Sequence, residues 1–206
     1  SCPCDIYTDV DGVYTTDPRI ESRARRLNKV SFEEMLEMAS LGAKVLQTRS
    51  VELAMAKQVP VRVLSSFIEP DESGQMPDKG GTLICDEEEI VEKRIVSGVT
   101  MSRDEARITL LGLSDRVDAP ADVFTRLAEA NVNVDMIVQS QARTANTVNL
   151  TFTTGRRDAV RAADIMKAAQ ADLAFEEIRV DEDVAKVSVV GVGMRSHAGV
   201  AQTMFK

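Results

Sequence analysis

The chain has 206 residues, 44% of them hydrophobic, so it can hold one or two cored domains and is not disordered by composition. A net charge of −8 argues against a duplex-DNA partner, because the one basic cluster (Arg23, Arg25, Arg26, Lys29) is short, and two Tyr, six Phe and no Trp give single-stranded bases little to stack on. Cys2, Cys4 and Cys85 with a single histidine build neither a disulfide scaffold nor a four-ligand zinc site, and the lack of a long apolar run or a leader predicts a cytoplasmic protein with reduced thiols and no membrane partner.

Residues 4–19, CDIYTDVDGVYTTDPR, open with Cys4, Ile6 and Tyr7, which read as the end of a buried strand. Asp11-Gly12 supplies a turn where Gly can take positive φ, and Asp17-Pro18 supplies a second turn with fixed φ. Tyr14, Thr15 and Thr16 lie between the turns, a composition shared by ligand loops and by ordinary hairpins with polar tips. A calcium loop counted from Asp9 fails, since its sixth and twelfth places hold Tyr14 and Ile20 instead of Gly and Glu.

From Ser31, the spacing of Phe32, Met35, Leu36, Met38 and Ala39 predicts a helix, with Ser31 as N-cap and Glu34 as its capping-box partner; Leu41-Gly42 breaks it. A second helix is expected from Ala43 to about Lys57, turning Val45, Leu46, Val51, Leu53 and Ala54 inward, followed by a strand at 61–64. Residues 68–81, with two Pro and three Gly, read as a surface loop; a strand at 82–85 and an acidic run follow, and a domain boundary is expected near 87–95. Met35, Met38, Met55 and Met136 read as core residues.

The second half repeats itself: ARITLLGL at 106–113 aligns with AKVSVVGV at 185–192 at an offset of 79. The first copy reads as strand 106–113, helix 119–130, strand 132–140, strand 147–153, helix 157–171 and strand 174–180, the βαββαβ order of a split-βαβ, ferredoxin-like unit. The second copy offers a strand at 185–192 and a helix start after Arg195. The fold class expected is therefore α/β (α+β), and a start at Ser1 with an incomplete second copy reads as a piece of a longer chain.

The opening run closely resembles the ATP-binding segment of aspartokinases, the amino-acid kinases that phosphorylate aspartate at the head of lysine, threonine and methionine synthesis. The resemblance continues through RRLNKVSFEEMLEMASLGAKVLQTRSVELA at 25–54 and VDEDVAKVSVVGVGMRSHAGV at 180–200, and so covers nearly the whole chain. It implies the C-terminal part of an amino-acid-kinase α/β sandwich at 1–87, a first ACT domain at 95–181 and the start of a truncated second ACT domain at 182–206. The activity implied for the intact enzyme converts ATP, with Mg2+, and L-aspartate to 4-phospho-L-aspartate. ACT domains in the family bind lysine, threonine or both, pair edge to edge and usually dimerise. A non-catalytic, amino-acid-binding regulatory subunit is the alternative, because some aspartokinases make one from an internal start.

By this resemblance Thr8, Asp9, Tyr14, Arg19, Lys44 and Val45 fall on positions that contact ATP. The chemistry agrees, since a polyphosphate approaching an acidic chain needs local cations. Arg19 follows a rigid turn, and Lys44 is expected at a helix start where free amides also favour an anion. Asp9 or Asp11 is a candidate to touch Mg2+ through water, with turn capping as the competing role. The family's N-terminal KxGGSS-like segment and its Gly-rich loop are absent from this stretch; no catalytic residue and no resident metal is assigned, and the isolated chain is expected to be inactive.

The effector positions implied are Asp115, Arg116, Ala119, Pro120, Asn133, Val134, Asp135 and Gln139 in the first unit, with His197 and Gly199 in the second. An amino-acid ligand needs amides at a helix start for its carboxylate and an acidic group for its ammonium, which Asp115 and the amides of 116–120 could supply. Val117-Asp118 stands where the family usually has Pro-Gly, and Asp118 adds negative charge where a carboxylate would approach.

Overall fold

The computed structural model describes residues 3–67, 80–90, 95–191 and 199–205. It divides into two compact units, residues 1–101 with 187–206, and residues 102–186. Most of the loop expected at 68–81 and residues 192–198, His197 among them, lie outside the described residues.

The first unit is built on a four-stranded sheet of β1 (Cys4–Thr8), β2 (Lys29–Ser31), β3 (Val61–Ser65) and β4 (Thr82–Cys85), in the order β1-β3-β4-β2. β1 runs parallel to β3, β2 parallel to β4, and β3 antiparallel to β4. As an edge strand with one neighbour, β1 is not the buried strand expected: Cys4 and Tyr7 are exposed and Ile6 is half-buried. Burial is instead deepest in β3 and β4, the central strands, where every residue but Arg62 and Leu83 is buried and Val61, Val63 and Ile84 enter the core.

Helix α1 (Phe32–Ser40) forms as the sequence predicts. Ser31 accepts from the Glu34 amide at 3.1 Å, and the Glu34 carboxylate accepts from the Ser31 amide at 3.3 Å, which satisfies two otherwise orphaned donors. Phe32, Met35 and Met38 point inward at helical spacing and meet Val13, Leu27, Val30 and Val51. Ser31→Ala is expected to cost about 1–2 kcal/mol, because both the cap and a fully buried hydroxyl are lost. A fall in thermal midpoint checks this, and an unchanged midpoint refutes it.

Helix α2 is shorter than expected, Thr48–Lys57. Gly42 adopts φ 110°, residues 43–47 stay in turn and extended conformations, and Gln47 is the N-cap. Lys44 therefore stands before the helix, not at its start. Val51 and Ala54 are buried and Val45 and Leu46 are half-buried against the core, but Leu53 faces solvent.

The second unit carries most of the sheet β6-β7-β5-β8, from β5 (Gly98–Ser114), β6 (Ile137–Gln141), β7 (Thr147–Thr154) and β8 (Glu177–Val190); residues 98–101 of β5 and 187–190 of β8 belong to the first unit. β7 is antiparallel to both β5 and β6, so β5 and β6 are parallel with β7 inserted between them. That is the split-βαβ arrangement expected. Helices α3 (Ala119–Glu129), α4 (Arg156–Ala168) and α5 (Gln170–Leu173) supply Val123, Leu127, Met166 and Leu173 to a core with Ile108, Leu110, Leu150 and Phe152. Phe124 meets Phe152 edge to face at 5.9 Å.

Three expectations fail here. The strand predicted at 132–140 starts only at Ile137, and the strands predicted at 174–180 and 185–192 are one continuous β8. Met136 is about half exposed, beside the outer strand β6, instead of in the core. The last described helix, α6 (Val200–Met204), is short and lies largely in solvent. No described helix is long and apolar enough to cross a membrane.

Candidate functional site

The run from Asp11 to Leu27 folds back on itself. Tyr14 forms an antiparallel bridge with Arg26, the Thr15 amide donates to Arg25 O at 2.9 Å, and the Leu27 amide donates to Val13 O at 2.8 Å. Thr82, fully buried at the start of β4, locks the base of this pairing. Its Oγ1 accepts from the Val13 amide at 2.8 Å and donates to Leu27 O at 2.6 Å. Gly12, at φ 150°, makes room for it, since a Cβ there would lie 2.7 Å from Thr82 Oγ1.

The organiser of the loop is Asp11. Its Oδ1 accepts from Tyr14 Oη at 2.9 Å and its Oδ2 pairs with Arg26 Nη1 at 3.0 Å. The hydrogen bond to Asp11 raises the Tyr14 phenol above its ordinary value, with burial adding to the effect and Arg26 opposing it. From the sequence, Asp11 is a turn residue or a candidate to touch Mg2+ through water, and Arg26 has no site role; their 15-residue separation hides the pair from local patterns.

The other nucleotide candidates occupy varied settings. Thr8 Oγ1 caps the Val10 amide at 3.1 Å and bonds Asp9 at 3.3 Å. Arg19 is highly exposed and held bidentately by Asp17, at 3.0 and 2.7 Å. Those bonds raise the Arg19 pKa and Asp9 adds to it by charge, while Asp17 is held below the usual carboxylate range. Lys44 is exposed, and Val45 packs half-buried on the core. Thr8 with Asp9, Tyr14, Arg19 and Lys44 thus make no hydrogen bond or ion pair from one of these four positions to another among the described residues. Local carboxylates hold Tyr14 and Arg19, and a bound anion would have to compete with Asp17 for Arg19.

In the second unit, Asp115 is exposed and the amides of Arg116 and Ala119 are already donated, to Ser114 O and Arg116 O. That leaves Val117 and Asp118 to offer amides before Pro120. Val117 is fully exposed, and the Asp118 carboxylate lies 3.9 Å from Arg116, which also reaches Asp122 at 3.3 Å. Arg116 thus offsets part of the negative charge at the α3 start. Asn133, Val134 and Asp135 precede β6 instead of lying within it, and Gln139 sits opposite Leu150. Thr154 Oγ1 donates to Asn133 O and the Asp135 amide to Thr153 O, which fixes this extended segment against β7. The Asp135 carboxylate is taken by Lys186. Val132, Asn133, Val134 and Ile137 line an open hollow of about 620 Å³ with Phe124 and Ala128. Gly199, at φ 93°, precedes α6 with open space around it.

No group of three or more His, Cys, Asp or Glu able to hold a metal occurs among the described residues, and the best-placed carboxylate, Asp11, is committed to Tyr14 and Arg26. These residues do not fit a resident metal ion.

Comparison with known proteins sharpens the assignment. The amino acid kinase family profile matches residues 2–65, the stretch that contains β1 to β3 and the Asp11 loop. An aspartokinase of Pseudomonas aeruginosa is 52% identical over 98% of this chain and 47% of its own length, and one from Corynebacterium glutamicum is 45% identical over 96% and 45%. Among solved structures, E. coli aspartokinase III in complex with aspartate and ADP superposes with a TM-score of 0.76 at 32% identity, over 98% of this chain and 43% of that one. The regulatory subunit of aspartate kinase from Thermus thermophilus is 35% identical with a TM-score of 0.50, over 54% of this chain and 73% of that subunit. The chain spans about half the length of the curated relatives it matches, and it belongs to the aspartokinase family.

Proposed function

We propose that the full-length protein containing this chain is an ATP-dependent aspartate kinase, with the Asp11–Arg26 loop on its nucleotide side and residues 102–186 as an amino-acid-responsive ACT unit. In the reaction, a β-carboxylate oxygen of L-aspartate attacks the γ-phosphorus of ATP, the bond to the β,γ-bridging oxygen breaks, and ADP leaves. The product, 4-phospho-L-aspartate, feeds lysine, threonine and methionine synthesis. Mg2+ enters as part of the nucleotide substrate, in keeping with its habit of binding through phosphates and few protein carboxylates.

The observation that carries this reading is the coincidence of the pinned loop with the stretch matched by the amino acid kinase family. Thr8, Asp9, Tyr14, Arg19, Lys44 and Val45 are the nucleotide contacts proposed. Their role is positioning and charge stabilisation, the main source of rate in phosphoryl transfer. Asp115, Arg116, Ala119, Pro120, Asn133, Val134, Asp135 and Gln139, with His197 and Gly199 of the second repeat, are the proposed effector contacts for lysine or threonine. The apolar outer strand, where Ile137 and Val138 are each about half exposed, is the proposed pairing edge for a homodimer.

The extent to which this chain covers the Thermus regulatory subunit favours a second reading, an amino-acid-binding subunit without chemistry. Trapping of acyl phosphate as a hydroxamate, with ATP and L-aspartate supplied to the full-length protein, separates the two. Hydroxamate that depends on both substrates is expected; ATP binding with none would leave only the regulatory reading.

A further inference from the structure

Residues 95–99 carry the backbone into β5, and within the first unit they are tied down at three points. Ser97 Oγ donates to Glu34 Oε1 at 2.5 Å, the Ser97 amide donates to Val190 O at 2.8 Å, and the Val99 amide donates to Thr15 O at 2.7 Å. Ser97 and the residues that hold it through these bonds are buried, as is Ser31: Ser97 is 8% exposed, Glu34 6%, Val190 1% and Ser31 0%. The Glu34 carboxylate cannot drift, because its other oxygen completes the capping box on the Ser31 amide. Gly98 is wedged, since a Cβ there would sit 2.6 Å from Met38 Cε and 3.4 Å from Thr15 O. Gly191, next to Val190, is as tight, with Ile95 O 2.3 Å from where its Cβ would be.

Thr15 lies in the Asp11–Arg26 loop, next to Tyr14. On one side its amide and hydroxyl meet Arg25, and on the other its carbonyl accepts from the Val99 amide. The loop's inner edge is therefore fixed by the pairing with 25–27, and its outer edge by a connector whose own place is set at Ser97.

We propose that Ser97 is a positioning residue for the Asp11–Arg26 loop. Through its bond to Glu34 it sets the height of Val99, and Val99 sets the carbonyl of Thr15 and with it the neighbouring Tyr14. The Ser97 amide is also held by Val190 O, so the connector is fixed by both its side chain and its backbone. A buried serine–carboxylate pair suits this task, because it fixes direction and register in a way an apolar contact does not, and leaving the acceptor unmade is costly. The consequence for ATP rests on reading this loop as the nucleotide loop.

Two variants test the idea in the full-length protein. Ser97→Ala removes the connector bond and leaves the capping box intact. Glu34→Gln keeps both bonds, since its amide oxygen can accept from Ser31 while its NH2 donates to Ser97 Oγ. For Ser97→Ala the KM for ATP is expected to rise about threefold to tenfold, the size of one lost hydrogen bond, with kcat within about twofold. Amide exchange in peptides spanning 13–27 and 96–101 should quicken in the same variant, while Glu34→Gln stays near wild type in both readouts. A lowered melting temperature with unchanged KM for ATP and unchanged exchange overturns the proposal. If the wild-type protein shows no ATP-dependent turnover but exchange still quickens in Ser97→Ala, the nucleotide reading fails and the anchoring role stands.

Discussion

Lys186→Met is expected to destabilise the second unit by about 3 kcal/mol, more than any surface substitution in this chain, because it strands a carboxylate in the interior. Lys186 Nζ lies 3.3 Å from Glu105 Oε1 and also meets the Asp135 carboxylate; the Lys186 and Glu105 side chains are only 17% and 11% exposed. Asp135 is open to water and loses little when the ammonium goes. Glu105 has no such recourse. The double variant Lys186→Met with Glu105→Gln should recover much of the loss, since no buried charge is then left unpaired, and the cycle of single and double variants isolates the coupling. Urea unfolding followed by circular dichroism reads the effect as a drop in midpoint at constant slope. A loss below about 1 kcal/mol for the single variant would show that water reaches Glu105 and that the site is not dry.

The same contact has a pH signature. Burial alone would lower the Lys186 pKa, but the hydrogen bonds to Asp135 and Glu105 outweigh it and raise the value above the ordinary lysine range. A raised folded value means that the stabilisation is fully present below the unfolded lysine pKa of about 10.4 and is lost as pH climbs through the folded value. The wild-type advantage over Lys186→Met should therefore be flat near neutrality and shrink in strong alkali.

Local chemistry is legible in the sequence wherever its partners are close together. Ser31 and Glu34 are three residues apart, so their spacing alone names the capping box, and the 79-residue repeat exposes the βαββαβ order. What escapes depends on long-range partners. Lys44 is expected at a helix start because Gly42 ends the previous helix, yet the chain needs residues 43–47 to turn back before α2 can begin. The separate strands expected at 174–180 and 185–192 leave Asp181–Asp183 between them, yet these residues lie inside the continuous β8. β8 is an outer strand of its sheet, so those carboxylates project to solvent, and Asp181 gains Arg107 as a partner at 2.8 Å. Ile137 and Val138 have strand composition but lie on the opposite outer strand, where burial cannot be inferred from hydrophobicity.

Asp11→Ala is expected to weaken ATP binding by the full-length protein about tenfold or more, although Asp11 is not itself one of the proposed nucleotide contacts. The carboxylate holds two groups at once, Tyr14 Oη at 2.9 Å and Arg26 Nη1 at 3.0 Å. Removing it frees the phenol to rotate away from a proposed nucleotide contact, and it loosens the bridge that pairs 13–15 with 25–27. Binding then has to supply the order that the free protein no longer has, and that ordering is subtracted from affinity. Asp11→Asn separates geometry from charge, because a carboxamide oxygen can still accept from Tyr14 but no longer neutralises Arg26; an intermediate loss is expected. Spectroscopy gives a readout independent of ATP. In the full-length protein, the difference between the ultraviolet titrations of the wild type and of Tyr14→Phe isolates the Tyr14 phenol. Its pKa, raised chiefly by the hydrogen bond to Asp11, should fall in Asp11→Ala toward the ordinary phenol value. If that pKa falls while ATP affinity holds, Tyr14 is positioned by Asp11 but does not touch the nucleotide, and the assignment of Tyr14 has to be abandoned.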